Sequence, residues 1–196
     1  MSLSARSMLL EEKTLKSERI FKGNFLKLNR DTVELPDGKI STREYVVHPG
    51  AAVMMPLLDN GKVVMVRQWR HPLKREFLEF PAGKIDAGEE PIQTAQRELV
   101  EECGYLAADW LHVTTIHPII AYCDERIELF LAKNLTKTTP KLDDGEFLEV
   151  LEVEPGEALQ WVREGKITDS KTMIGLFWLD KLRSGQWQPG KPDAHA

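Results

Sequence analysis

Cysteine is scarce. The chain has two, Cys103 and Cys123, too few for a disulfide framework and without zinc-site spacing, so both are expected as reduced thiols. No apolar run approaches the roughly 18 to 20 residues of a membrane span, and the N-terminus lacks a signal-peptide core. The expected setting is a reducing cytoplasm, with no membrane partner. Basic charge is not in excess either: a formal net charge of −5 gives no electrostatic footprint for nucleic acid or an anionic membrane. Any phosphate this protein meets must be met by a metal ion and a few local arginines. The histidines, His48, His71, His112, His117 and His195, have no metal-ligand spacing and are read as bystanders, with His48 a turn residue. Internal repeats and low-complexity segments are absent.

What is present, 196 residues that are 42% hydrophobic and 29% charged, suffices for one ordinary soluble domain with a full core and leaves room for a small appendage. Residues 17–47 alternate in short apolar and polar pieces around a Pro36, Asp37, Gly38, Lys39 turn, which predicts a small antiparallel strand unit. His48, Pro49 and Gly50 end it. Residues 52–58 and 62–70 flank Asp59, Asn60 and Gly61 and read as a β-hairpin whose apolar runs are covered on both faces. Arg67 and Arg70 stand at its end.

Further along, residues 111–118 and 127–132 read as strands joined by 119–126. A polar connection follows over 133–145, and then a strand over 146–153 that alternates with period two. Residues 155–164 read as a helix stopped by Gly165. A last helix, capped by Asp169 or Ser170, would place Ile174, Phe177, Trp178 and Leu182 on an apolar stripe. Residues 1–12 carry no assigned role. The expected division is a strand unit over 1–49, a main domain over 50–185 and a tail over 186–196.

Between these segments, residues 83–105 carry the chemistry. Pro91 suits a first helical position and Gly104 a terminus, so a helix is predicted between them. Glu98, Glu101 and Glu102 fall at i, i+3 and i+4 and share one face. Like charges at that spacing cost roughly 0.2 to 0.5 kcal/mol per pair unless something positive sits there. A solvated acidic face is one reading. A hard divalent cation is the other, since such ions take oxygen ligands and bridge carboxylates to substrate phosphates.

The whole pattern decides between them: Gly83, Glu89, Arg97-Glu98-Leu99, Glu101-Glu102 and Gly104 at fixed intervals. It resembles the signature box of the Nudix hydrolases at every fixed polar or glycine position, with Tyr105 where an aliphatic residue is usual. The resemblance implies an α/β fold, the Nudix α/β/α sandwich, here with an N-terminal antiparallel strand unit. It implies hydrolysis of a nucleoside diphosphate linked to another group, with Mg²⁺ or Mn²⁺. Glu98, Glu101 and Glu102, with the Ala82 carbonyl, correspond to metal ligands. Arg97 and Glu89 correspond to the pair that braces them, and Gly83 and Gly104 to tight turns. The resemblance also implies a further carboxylate to orient or deprotonate water. Glu146 is the choice, with Asp144 and Glu149 open, so that Glu146, Glu101 and Arg97 form the catalytic group.

Arg43 to Gly50, Glu79 to Gly83, Asp144 to Val150 and the ending from Trp161 to Asp169 are similar to the ADP-ribose pyrophosphatase subgroup of that family. That implies AMP and ribose 5-phosphate as products from ADP-ribose, and a homodimer built with the N-terminal strands. Arg67 and Arg70, at the end of the hairpin and beside the acidic helix, read either as solvated charges or as diphosphate contacts; Arg43 is a further candidate at the substrate, and Glu125 reads either as a substrate contact or as an ion-pair partner of Arg126. One departure bears on the substrate: Ile120 stands where relatives dedicated to ADP-ribose carry a proline, and Pro118 lies two residues early. GDP-mannose and other nucleoside diphosphate sugars stay open. A nucleotide-binding module without catalysis is the alternative of another class.

Overall fold

The computed structural model describes residues 10–189. Two compact units divide the chain: one takes the chain up to His48 together with Ile119–Glu125, the other Pro49–Pro118 and the chain from Arg126 onward.

The first unit is a three-stranded antiparallel sheet of β1 (Lys13–Lys22), β2 (Lys27–Glu34) and β3 (Ile40–Val47), with β2 in the middle. Its strands begin earlier than the sequence pattern suggests. Glu12, left without a role, accepts a 2.5 Å hydrogen bond from Arg43. His48 donates its backbone N–H to Asp124 at 2.7 Å and lies edge-on to Phe25.

The second unit holds β4 (Ala51–Pro56), β5 (Val63–Arg70), β6 (Arg75–Glu79), β7 (Ala82–Lys84), α1 (Pro91–Cys103), β8 (Tyr105–Ile116), β9 (Ile127–Lys137), β10 (Leu148–Val153), α2 (Pro155–Arg163) and α3 (Ser170–Arg183). The strands form two sheets, ordered β7-β4-β9-β8 and β10-β5-β6. The expected hairpin does not form: β4 and β5 belong to different sheets and share no ladder, the isolated backbone bridge being between Leu57, just past β4, and Val63. The reason lies in the edges of β4. One pairs in parallel with β9; the other pairs with β7 over Ala51–Val53 and donates from Met54 to Pro81, so little of β4 is left to pair with β5.

Both faces of β4 and β5 are buried, as their apolar runs imply. Val53, Met55, Val63 and Met65 join Ala158 of α2 with Leu176 and Leu179 of α3 in one cluster. Ala52, Met54, Val64 and Val66 join Ala95, Leu99 and Cys103 of α1 in the other. Strands therefore lie between α1 on one side and α2 with α3 on the other, an α/β/α sandwich. Full burial of a side chain such as Leu99 contributes roughly 1.5 to 3 kcal/mol and fixes which face of α1 turns inward.

In α3 the buried positions are Thr172, Gly175, Leu176 and Leu179. Ile174, Trp178 and Leu182 pack at the cluster's margin, while Phe177 is exposed. The predicted stripe is thus turned by the close approach of Gly175, where a Cβ would come within 3.0 Å of the Phe80 ring. The described part of the tail is packed too, with Trp187 edge-on to Trp178 at 4.7 Å between centroids. The rest of the tail, with His195, and most of residues 1–12 lie outside the described residues.

Candidate active site

Helix α1 is set by its ends. Glu90 forms a reciprocal capping box with Gln93, Pro91 takes the first turn, and Gly104 closes the helix in the left-handed region at φ 67°. A side chain at Gly104 would also strike the backbone of Thr138 and Pro140 at 2.8 Å. With the helix so placed, Glu102 turns toward the core and is buried, whereas Glu98 and Glu101 lie nearer the surface.

Arg97 organises the acidic face. Its Nε and Nη2 each donate to Glu89 at 3.0 Å, while Nη1 donates to Glu98 at 2.8 Å and to Glu101 at 2.9 Å. The Arg97 and Thr94 hydrogen bonds hold the Glu89 carboxyl down at about 2. Those same carboxylates raise the Arg97 guanidinium above its ordinary value, so it is always charged. Glu102 instead accepts the backbone N–H of Ala82 at 3.1 Å. Partners of their own thus hold the three glutamates, and among the described residues no three acidic, imidazole or thiol side chains are already drawn together closely enough to hold a metal ion, although the glutamates of this face are near enough to act on one another's charge.

The charge on this face is still unbalanced. Burial raises the Glu102 carboxyl to about 8, and the neighbouring charges of Glu98 and Glu146 add to the rise. Burial also raises Glu98, against the pull of Arg97. The backbone leaves room for these side chains by omission: a Cβ on Gly83 would lie 2.0 Å from Cδ of Glu98. A donor set made only of oxygens, desolvated and mutually repelling, suits a hard divalent cation.

Around this face stand the other expected residues. Glu146 is within 3.5 Å of the Gln68 amide, which donates to it. Residues 67 and 70 are an odd number apart on a regular strand, so Arg67 and Arg70 point to opposite faces. Arg70 shares its face with Gln68 and donates from Nε and Nη2 to Glu79, both at 2.7 Å. Arg67, with Trp69 on the other face, is tied to Glu149 at 2.8 Å and to Glu76 at 3.3 Å. The structure therefore brings Arg70 and Glu146 to the acidic helix, and it groups Arg67 with Glu149 elsewhere. Arg43 and Glu125 belong to the first unit, where Arg43 holds Glu12 and Glu125 lies 3.5 Å from His48.

Two buried polar clusters have no signal in the sequence. Glu79 is 2% exposed and receives both Arg70 and Lys171. Glu128, also buried, receives His112 at 2.7 Å and Thr115 at 2.6 Å, so His112 is a structural partner and not a bystander. The partner 92 residues away comes from α3 and the one 16 residues away from the pairing of β8 with β9, so neither contact is local in the chain.

An α/β/α sandwich with a glycine-bounded acidic helix of this composition defines a Nudix hydrolase. Residues 47–174 match the NUDIX domain, and residues 12–46 match the nucleoside diphosphate sugar hydrolase N-terminal domain. The chain belongs to the Nudix hydrolase family, whose members in general depend on a divalent metal. It is 45% identical over 175 residues to a methanol dehydrogenase activator of Bacillus methanolicus, covering 87% of this chain and 94% of the relative. An ADP-ribose pyrophosphatase of Bacillus subtilis (strain 168) is 44% identical over 181 residues, covering 91% and 98%. The crystal structure of an ADP compounds hydrolase superposes with a TM-score of 0.81 over 91% of this chain and 97% of that one, and at 20% identity it speaks to the fold alone.

Proposed function

We propose that the protein hydrolyses the diphosphate bond of ADP-ribose to AMP and ribose 5-phosphate, using Mg²⁺ or Mn²⁺. The observation that carries this reading is the desolvated pair Glu102 and Glu98, with the charge of Glu146 beside them and the forked Arg70 near Glu102. The 44% identity to a protein named ADP-ribose pyrophosphatase supports the choice of substrate.

Glu98, Glu101, Glu102 and the Ala82 carbonyl would hold the ion. When bound, it supplies positive charge against the bridging diphosphate and acidifies a water. Arg97 keeps Glu98 and Glu101 in place and is itself anchored by Glu89. Arg70 offers a planar fork-shaped cation suited to phosphate oxygens, with Nη1 on the side away from Glu79. Glu146 orients the attacking water and takes its proton. Attack at phosphorus breaks the bridging P–O bond, leaving one phosphate on each product.

The setting we infer is a cytoplasmic homodimer. Residues 1–49 serve as the dimerisation element, 50–185 as the hydrolase domain and 186–196 as the tail. Supporting the dimer, Leu15, Phe21 and Ile40 of the three-stranded sheet and Leu26 in the turn between β1 and β2 are exposed. A monomer in light scattering at micromolar concentration would count against it. No described helix is long and apolar enough to cross a membrane.

Turnover of ADP-ribose, GDP-mannose, UDP-glucose, NADH and dGTP at equal concentration tests the substrate. ADP-ribose is expected to lead in kcat/KM. Preference for another nucleoside diphosphate sugar is the second reading, favoured by Ile120, which is 84% exposed at the place of the missing proline. That outcome would keep the chemistry and move the specificity.

A further inference from the structure

We propose that Lys171, on α3 and well outside the signature, is a positioning residue for Arg70. It acts through the buried Glu79 to hold the guanidinium ready for the substrate diphosphate, and this rests on the reading of Arg70 as a diphosphate contact. Both oxygens of Glu79 are engaged. Oε1 accepts from Nε of Arg70 at 2.7 Å, and Oε2 accepts from Nη2 of Arg70 at 2.7 Å and from Nζ of Lys171. Burial would raise the Glu79 carboxyl, but the Arg70 bonds and the Lys171 charge outweigh it and hold the group ionised.

Lys171 does not float. Its ammonium lies 2.9 Å from Asp169, the N-cap of α3, whose carboxylate accepts from the backbone N–H of Thr172 at 3.0 Å. The Thr172 hydroxyl donates to Asp169 at 2.6 Å and accepts the backbone N–H of Phe80 at 2.9 Å. Residues 79 and 80 are therefore tied to the start of α3 twice, once by side chain and once by backbone. Two cations, Arg70 and Lys171, balance two anions, Glu79 and Asp169. Without Lys171, Glu79 and Asp169 leave one uncompensated negative charge beside Arg70, which weakens its pull on a phosphate, and Oε2 of Glu79 loses the second partner that fixes it against α3.

A purely structural lysine would predict lower stability with no special dependence on Arg70. Acting through Arg70 predicts that the two effects do not add. Affinity for ADP-ribose is measured by calorimetry in chelator, where the ligand is not turned over, and KM and kcat are measured with Mg²⁺. Lys171→Met is expected to weaken binding and raise KM by roughly tenfold, with kcat changed less than about threefold, because small misplacements of a binding group are costly. Lys171→Arg is expected to restore most of the affinity, and Lys171→Met is expected to change binding less than about twofold when Arg70 is already alanine.

Unchanged affinity in Lys171→Met, or the same tenfold loss with Arg70→Ala present, overturns the proposal while leaving Arg70 as a contact. Wild-type affinity in Arg70→Ala overturns both. If Lys171→Met does not fold, the charge-neutral pair Glu79→Gln with Lys171→Met decides: a similar loss of affinity supports the positioning role, and wild-type affinity overturns it.

Discussion

Glu102→Gln is expected to lower metal-dependent turnover by roughly 10²-fold or more, while making the chelated protein more stable at pH 8. The first effect follows from removing the charge of a proposed metal ligand, since stabilisation by a bound ion is worth several kcal/mol and each ~1.4 kcal/mol is tenfold in rate. The second follows from linkage. The Glu102 carboxyl sits at about 8 in the folded protein against an ordinary value of 4.5. Between those values the folded chain keeps a proton that the unfolded chain has released, so stability falls as pH rises through the window. The loss approaches about 1.4 kcal/mol per pH unit for one such group, and Glu98, raised in the same direction, adds to it. Glu89, held at about 2, and Glu79, held low by Arg70 and Lys171 against its burial, contribute with the opposite sign and below pH 4.5. Urea unfolding in chelator between pH 5 and pH 8 should therefore show a shallower decline for Glu102→Gln than for the wild type. Equal slopes would mean that Glu102 is not a desolvated acid in the folded protein.

Glu146→Gln is expected to cost 10² to about 10⁴-fold in kcat with little change in KM, the usual range for a positioned acid or base. Its charge already reaches Glu98 and Glu102, and the Gln68 amide lies at 3.5 Å from it. Glu149→Gln should cost much less, because Glu149 is committed to Arg67 on the opposite face of β5. Steady-state kinetics of the two variants side by side decide the assignment. A loss under about tenfold for Glu146→Gln with a severe loss for Glu149→Gln would reverse it.

The acidic helix was legible because its information is local. Pro91, Gly104 and the glutamate spacing fix ends and face without reference to any other segment, and the structure has the same bounds, with Glu102 turned further into the core than the spacing alone shows. Strand partners were not legible from the same kind of signal. The runs of β4 and β5 report burial on both faces correctly, but burial does not say which edge pairs with what, and the expected hairpin gave way to two sheets. Face parity was available and decisive for Arg67 and Arg70, an odd step apart on a strand, once the strand was known to run unbroken to residue 70. The Asp169, Lys171, Glu79, Arg70 chain was out of reach. Nothing near Lys171 marks it as the partner of a carboxylate 92 residues earlier.

The most direct measurement is product release from ADP-ribose as Mg²⁺ is titrated in and then removed by chelator. AMP and ribose 5-phosphate in equal amounts, appearing with the metal and ceasing with the chelator, are the expected result. Saturable nucleotide binding with no metal-dependent product would contradict it and leave the acidic face of α1 as part of a binding module.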